Sequence, residues 1–232
     1  DMRDLKNKLT SSKNTKNTQT RKGKSFGYQV LGFGSGGSAD AFIAATGGTI
    51  TTVDTNYKVH TFNGNGTFAV TAGAGAISVA DYVVVAAGGG GGSYGGGGAG
   101  AGGYRESHVD ATSGPYTASP LASSTSIEIL PGSYPIVIGA GGTGHPVTNT
   151  NGGVSSGLGI ESAGGGFGGR DDNHNGNPGG SAGGGGRRTN GGTGNTPPVS
   201  PAQGTNGGNG VGSHPGPGAG GGGGGATVAG TA

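Results

Sequence analysis

Residues 139–144 read Gly-Ala-Gly-Gly-Thr-Gly, the spacing G-x-G-x-x-G, directly after an apolar stretch. In dinucleotide-binding proteins this spacing lets the backbone approach a pyrophosphate that rests on a helix N-terminus, and an acid about 20 residues on holds the ribose. Glu161 stands at nearly that distance. The residues that follow, His145-Pro146-Val147-Thr148-Asn149-Thr150-Asn151-Gly152, cannot build that helix, so the match is one of composition. Asp171-Asp172-Asn173-His174 places acids beside a histidine, a donor set that a loop-bound cation accepts. A hydrated polar turn explains the same four residues. Serine, histidine and aspartate all occur, but no nucleophile elbow frames them, and no carboxylate pair sits on a rigid element. The expectation is a chain that is not an enzyme, with no metal site and no cofactor.

Other side chains suggest surface contact. Arg170, Arg187 and Arg188 interrupt glycine tracts. They suit anionic glycans or a partner's carboxylates, and equally suit exposed loop tips. Tyr94, Tyr104, Tyr116 and Phe167 offer flat rings that stack on sugar faces, or that cover the outside of a glycine scaffold. Both readings stay open. The basic residues Arg3, Lys6, Lys8, Lys13, Lys16, Arg21, Lys22 and Lys24 crowd the N-terminal arm, out of 13 in a chain of net charge +2. No aromatics interleave them as a single-strand nucleic-acid binder requires, so the arm is read as solvated or docked on a partner.

Whatever positions these residues is not an ordinary core. Glycine makes up 63 of 232 residues, most of them after residue 87. It contributes no side chain to bury and loses the most backbone entropy on folding. There is no cysteine and no tryptophan, so neither disulfides nor thiolate metal sites support the chain. No stretch approaches the roughly 20 apolar residues of a membrane span. Met2 follows Asp1 and is not obviously the initiator, which leaves room for a removed upstream segment, an export signal included.

The chain divides into a basic arm over 1–25, a β unit over 26–87 and a glycine-rich part over 88–232. Phe26, Tyr28, Val30 and either Leu31 or Phe33 set out a first strand. Residues 41–45 are ambiguous between strand and helical turn. Strands are expected over 49–53, 57–62 and 67–71, with turn chemistry at Asp54-Thr55-Asn56 and Asn63-Gly64-Asn65-Gly66. Residues 77–87 read as a buried strand. Later strand-like pieces cover 126–130, 134–138 and 154–160, and Pro135 assigns its strand to an edge or a start.

Glycine tracts without side chains can form extended left-handed helices of three residues per turn, whose outward N–H and C=O groups bond neighbouring helices. Since buried backbone groups must be paired, such a bundle is all-or-none. Its helices are expected over 88–103, 139–144, 164–169, 179–186, 204–212 and 216–225, and Gly222→Val is expected to disrupt it. The fold class is therefore all-β: a small β unit followed by a sandwich of packed polyglycine II helices, with little or no α-helix.

The ordered combination Gly47-Gly-Thr-Ile-Thr-Thr, Tyr57-Lys-Val-His-Thr-Phe-Asn-Gly-Asn-Gly-Thr-Phe68, Asp81-Tyr-Val-Val-Val-Ala-Ala followed by glycines, and Pro131-Gly-Ser-Tyr-Pro-Ile-Val-Ile-Gly-Ala-Gly-Gly142 closely resembles the glycine-rich domain of bacteriophage tail-fibre and adhesin-like proteins, especially those of marine phages. The likeness runs over about 47–225. It implies a polyglycine-helix sandwich on a virion fibre or its tip, contacting a receptor through loops at 104–126, 147–151, 170–178, 187–202 and 214–217. Receptor-contact candidates are Tyr94, Tyr104, Arg105, Tyr116, Arg170, His174, Arg187 and Arg188. The short chain and its basic arm depart from a shaft-bearing fibre.

Two functions follow as expectations. The first is a non-enzymatic phage tail-fibre adhesin that presents loops to a host-surface glycan or protein, located on the virion. The second is a self-polymerising extracellular filament subunit, in which residues 1–33 add as a strand to the next copy. Its subunit-contact candidates are Arg21, Lys22, Phe26, Tyr28, Val30 and Phe33. Either way a homo-oligomer or homopolymer is expected, with no nucleic acid and no membrane insertion. An ice-binding reading lacks the regular threonine array it needs.

Overall fold

The computed structural model describes residues 41–53, 57–108, 119–145, 148–170, 174–212 and 217–232. The basic arm and the strand expected at 26–33 lie outside these residues. What is described is all-β. Strand β1 (Ala41–Thr46) is the ambiguous segment, and β2 (Thr49–Val53) and β3 (Tyr57–Thr61) match their expected ranges closely. β4 (Gly66–Ala74) is longer than its β-branched stretch. Then come β5 (Val79–Ala80), β6 (Val83–Val85), β7 (Tyr104–Glu106), β8 (Ile127–Glu128) and β9 (Gly132–Ile136).

β4 lies between β1 and β9 in an antiparallel sheet. Pro135 pairs with Thr67 on β9, an edge strand of that sheet, where a missing N–H costs least. Phe68, Val70 and Ile129 form the buried apolar cluster, with Ile43, Phe62, Tyr134 and Ile136 packed on it. Ile129 and its neighbours come from beyond residue 87, so the β unit is completed by chain that returns after the first glycine hairpin. The Ser78 hydroxyl donates to the Ile129 carbonyl and fixes that return.

Two strand expectations need correction. The stretch 77–87 is not one buried strand. It breaks into a 3-10 turn at Gly75–Ile77, β5 and β6, with Val83 59% and Val85 53% exposed. The stretch 154–160 is not one strand but β10 (Ser155–Gly157), a tight turn and the start of β11 (Ile160–Ser162), with which β10 pairs as a hairpin. Leu158 and Gly159 turn it with φ of 55° and 77°, the left-handed pair of a two-residue hairpin loop.

The glycine-rich part is a hydrogen-bonded lattice of extended segments, named g1 (88–92), g2 (96–103), g3 (139–143), g4 (149–153), g5 (163–169), g6 (174–178), g7 (179–186), g8 (190–194), g9 (203–210) and g10 (220–225). Bonds to any one neighbour recur every third residue, as a three-residue helical turn dictates. Gly97, Gly100 and Gly103 of g2 donate to Gly169, Gly166 and Ala163 of g5. Registers give the directions. g3, g1, g5, g7 and g9 run parallel in a middle row, for example through Gly166 and Gly169 donating to Ser181 and Gly184. Segments g2 and g10 form an outer row running the opposite way, and g4, g6 and g8 form the other. The lattice is thus a three-layer sandwich. g7 sits at its centre, bonded to g2, g5, g6, g8, g9 and g10, and residues 179–186 are all buried.

Glycine is needed here for room rather than for torsion. Positive φ occurs at Gly95, in the turn between g1 and g2, at Gly102 of g2, and at no glycine of g5 or g7. A Cβ added at Gly184, however, would overlap the Gly221 carbonyl, and one at Gly223 the Ala99 carbonyl. The segments approach so closely that only hydrogen fits between them. The expected tract 88–103 is two antiparallel segments, turned at Ser93-Tyr94-Gly95. Segments g4, g6 and g8 fall in stretches expected to be loops, because asparagine and threonine break their glycine runs. Those asparagines supply a second amide where the row has no backbone partner. Asn151 Oδ1 accepts from Phe167 N at 3.0 Å, and its Nδ2 donates to the Pro178 carbonyl at 3.1 Å. Asn206 and Asn209 likewise accept from Gly194 N and Gly191 N at 2.8 and 2.9 Å. Gly222 proves to be a rim position: a Cβ there would stand 3.3 Å from Thr231 O, a tight contact and not an overlap.

Candidate functional site

Every middle-row segment is followed in sequence by an outer-row segment of opposite direction. All the connections that leave the middle row therefore emerge at one end of the sandwich. Their described residues are 93–95, 144–145, 148, 170, 187–189 and the paired strands β12 (Val211–Gly212) and β13 (Gly218–Ala219). The return connections, with β6, β7, β9 and β10–β11, adjoin the opposite end. This alternation gathers side chains that are far apart in sequence.

At the turn end, Tyr94 is 78% exposed and held at φ 53°. A non-glycine residue in the left-handed region costs about 1–3 kcal/mol, and such residues cluster at functional sites. Its ring stands edge-on to His145 with centroids 5.2 Å apart. The next residue, Gly95, accepts from Arg187 N at 3.0 Å. The half-buried Arg187 lays its stem against Gly218, where a Cβ would meet its Cγ at 2.5 Å. Arg188, exposed, also has a left-handed φ of 65°. The His174 carbonyl accepts from Gly186 N at 3.1 Å and from the Thr189 hydroxyl at 2.7 Å. His174 Nδ1 lies 3.1 Å from the Arg170 carbonyl oxygen, which can only accept. Tyr94, Arg170, His174, Arg187 and Arg188 thus share one end, carried by backbone bonds into g7 and its neighbours.

Tyr104 and Arg105 do not join them. They lie on β7, after g2 has run back to the β unit. The Tyr104 hydroxyl donates to Glu106 Oε2 at 2.6 Å, and Glu106 is 1% exposed. Its other oxygen accepts from Ser119 N at 2.7 Å. Tyr104 is half-buried and ties the β7 edge to the loop that follows, a structural task. Tyr116, Arg21, Lys22, Phe26, Tyr28, Val30 and Phe33 lie outside the described residues. Phe167 is half-buried on g5.

Sequence reasoning missed His145, whose partner is fifty-odd residues away, and Gln203. Gln203 is 1% exposed and joins the sandwich to the β-unit end. Its Oε1 accepts from Ala163 N at 2.8 Å, its Nε2 donates to the Pro197 carbonyl at 2.9 Å, and its own carbonyl accepts from Tyr104 N at 2.8 Å. A lone polar residue opening a glycine tract was the available signal. The G-x-G-x-x-G stretch is g3 and its turn, where a Cβ at Gly139 would overlap the Gly153 carbonyl. Its glycines serve lattice packing. Among the described residues no three histidine, aspartate or glutamate side chains gather as metal ligands, and no helix is long and apolar enough to cross a membrane.

Neither the curated proteins nor the solved structures compared with the chain contain a match. A family model described as a glycine-rich domain matches residues 61–232, a span that takes in the whole lattice and the β unit from the end of β3 onward. By that match the chain belongs to the glycine-rich domain family.

Proposed function

We propose that the chain is a non-enzymatic adhesive protein of the phage tail-fibre type, which presents the turn end of its glycine sandwich to a glycan or protein on a host surface. The observation that carries this reading is Tyr94. An aromatic ring left 78% exposed in a strained conformation does nothing for the packing of the lattice. It stands beside His145 and the Arg187 backbone, at the end that also carries Arg170 and Arg188. Rings stack on sugar faces and guanidinium groups hold carboxylates in a fork, so the ligand class is an acidic surface polysaccharide. Single sites of this kind are weak, and display on a fibre raises their avidity.

The test is binding of the purified full chain to immobilised acidic and neutral bacterial polysaccharides. Tyr94→Ser and the Arg170→Ser/Arg188→Ser pair are each expected to weaken binding to an acidic polysaccharide at least tenfold, while Tyr104→Phe leaves it unchanged. Binding that ignores both tip variants contradicts the reading.

The second reading, a self-polymerising extracellular filament subunit, is favoured by a different observation. The ribbon β2–β3 has no further strand beside it among the described residues, and Ile50, Val53, Tyr57 and Val59 on it are 44–59% exposed. A two-stranded hairpin is marginal in water by itself, so this ribbon is suited to being completed by another chain.

A further inference from the structure

The β unit keeps an apolar opening that its own described strands do not fill. A groove of about 820 Å³ runs between β3 and β6. Lys58, Val59, His60, Thr61 and Phe62 line it in unbroken succession. Successive side chains of a strand point to opposite faces, so what borders the groove along β3 is the strand's edge. Val83 and Val85 of β6 face it from the other side, and Phe68 and Ile129 of the core reach its floor. An open strand edge beside a groove floored by the core is the geometry that strand addition completes, with backbone bonds for affinity and alternate side chains for specificity.

We propose that this groove receives residues 26–33 of a second copy of the chain. The inference rests on the filament reading above and names its acceptor site. The segment Phe26-Gly27-Tyr28-Gln29-Val30-Leu31-Gly32-Phe33 alternates large apolar side chains with small or polar ones at Phe26, Tyr28 and Val30, as a strand with one buried face requires. Eight residues of strand span about 27 Å at 3.3–3.4 Å each, longer than the edge β3 offers. Arg21, Lys22 and Lys24 stand directly before the segment, and the groove's lining carries one exposed carboxylate, Asp81, which accepts from the Ser107 hydroxyl, and one exposed ammonium, Lys58. Between the segment and β1 the sequence Gly34-Ser35-Gly36-Gly37-Ser38 has the glycine–serine composition of a linker. It leads into β1, which lies across the sheet from β9, while residues of β9 line the groove. A donor from the neighbouring copy need not cross that sheet. The contact is head-to-tail, and repeated without closure it builds a filament.

The chain has no cysteine, so cross-linking reads the contact cleanly. The full chain carrying Val30→Cys with Val59→Cys, and separately Val30→Cys with Val83→Cys, is oxidised and run without reductant. Val59 and Val83 are 45% and 59% exposed, so neither change empties the core. A covalent ladder of dimers and higher species in at least one variant is expected, absent from each single-cysteine variant beyond a dimer. An intramolecular disulfide that leaves only monomer overturns the second-copy assignment. Mass photometry of the unmodified chain separates the remaining failures. Multimers without a ladder overturn the groove while the filament reading stands, and monomers alone overturn both.

Discussion

At the residue scale, the same amino acid does different work at different depths of the lattice. Gly184 and Gly223 have no room for a methyl group, whereas Gly91 has open space around the position of its missing Cβ. Gly184→Ala and Gly223→Ala are therefore expected to abolish cooperative folding or lower stability by more than the ~1–3 kcal/mol of ordinary overpacking, since backbone and not a pliable side chain must move. Gly91→Ala should stay within about 0.5 kcal/mol of the parent. Thermal unfolding of the three variants checks this, and equal effects at Gly91 and Gly184 would contradict the packing described. Gly222, with its 3.3 Å clearance, should respond to Ala far less than Gly223. Gln203→Ala strands the buried Ala163 N–H, at about 1–3 kcal/mol for an unsatisfied buried group, while the Pro197 carbonyl, on an exposed residue, turns to water. In a chain of this size that is a midpoint lowered by several degrees, at about 2–4 °C per kcal/mol.

At the element scale, the segments have no independent stability. An isolated polyglycine helix bonds only water, and its gain comes when neighbours replace that water on several sides. The asparagines at the lattice edge extend the same ladder. Asn151 accepts from Phe167 N and from Asn177 Nδ2 and donates to Pro178 O. Asn151→Asp keeps the acceptor and loses the donor, so it should destabilise less than Asn151→Ala; urea titration orders the two. Much at this scale was legible in the sequence. Runs of β-branched and aromatic residues placed β2 and β3, and Pro135 placed β9 at an edge. Glycine blocks marked g1, g2, g3, g5, g7, g9 and g10. The short outer-row segments were not legible, because Asn149–Asn151 and Asn175–Asn177 carry the usual chemistry of turns. An asparagine amide that imitates a peptide unit leaves the same sequence signature as one that caps a loop. Leu158 hid a turn for a similar reason: an apolar residue at positive φ gives no warning.

At the scale of the whole molecule, one topological rule accounts for the candidate site. Middle-row and outer-row segments alternate along the chain, so Tyr94, His145, Arg170, His174, Arg187 and Arg188 come to one end, and Tyr104 and Arg105 to the other. The residue types of the tip were visible from the start, but their convergence required the outer row to be known. The proposed division of labour is a sugar-binding end, a rigid lattice, and a β unit whose groove joins copies. Its parts separate experimentally: Tyr94→Ser should lower polysaccharide binding without changing multimer size by mass photometry. All of it depends on the lattice being a folded, cooperative solid and not a set of flexible glycine linkers. Hydrogen–deuterium exchange by mass spectrometry on the full chain tests that most directly. Amides of 179–186, each surrounded by neighbouring segments, are expected to exchange only through global unfolding, as slowly as the Phe68–Val70 core strand. Exchange of that peptide at the rate of an unstructured glycine tract would contradict the account.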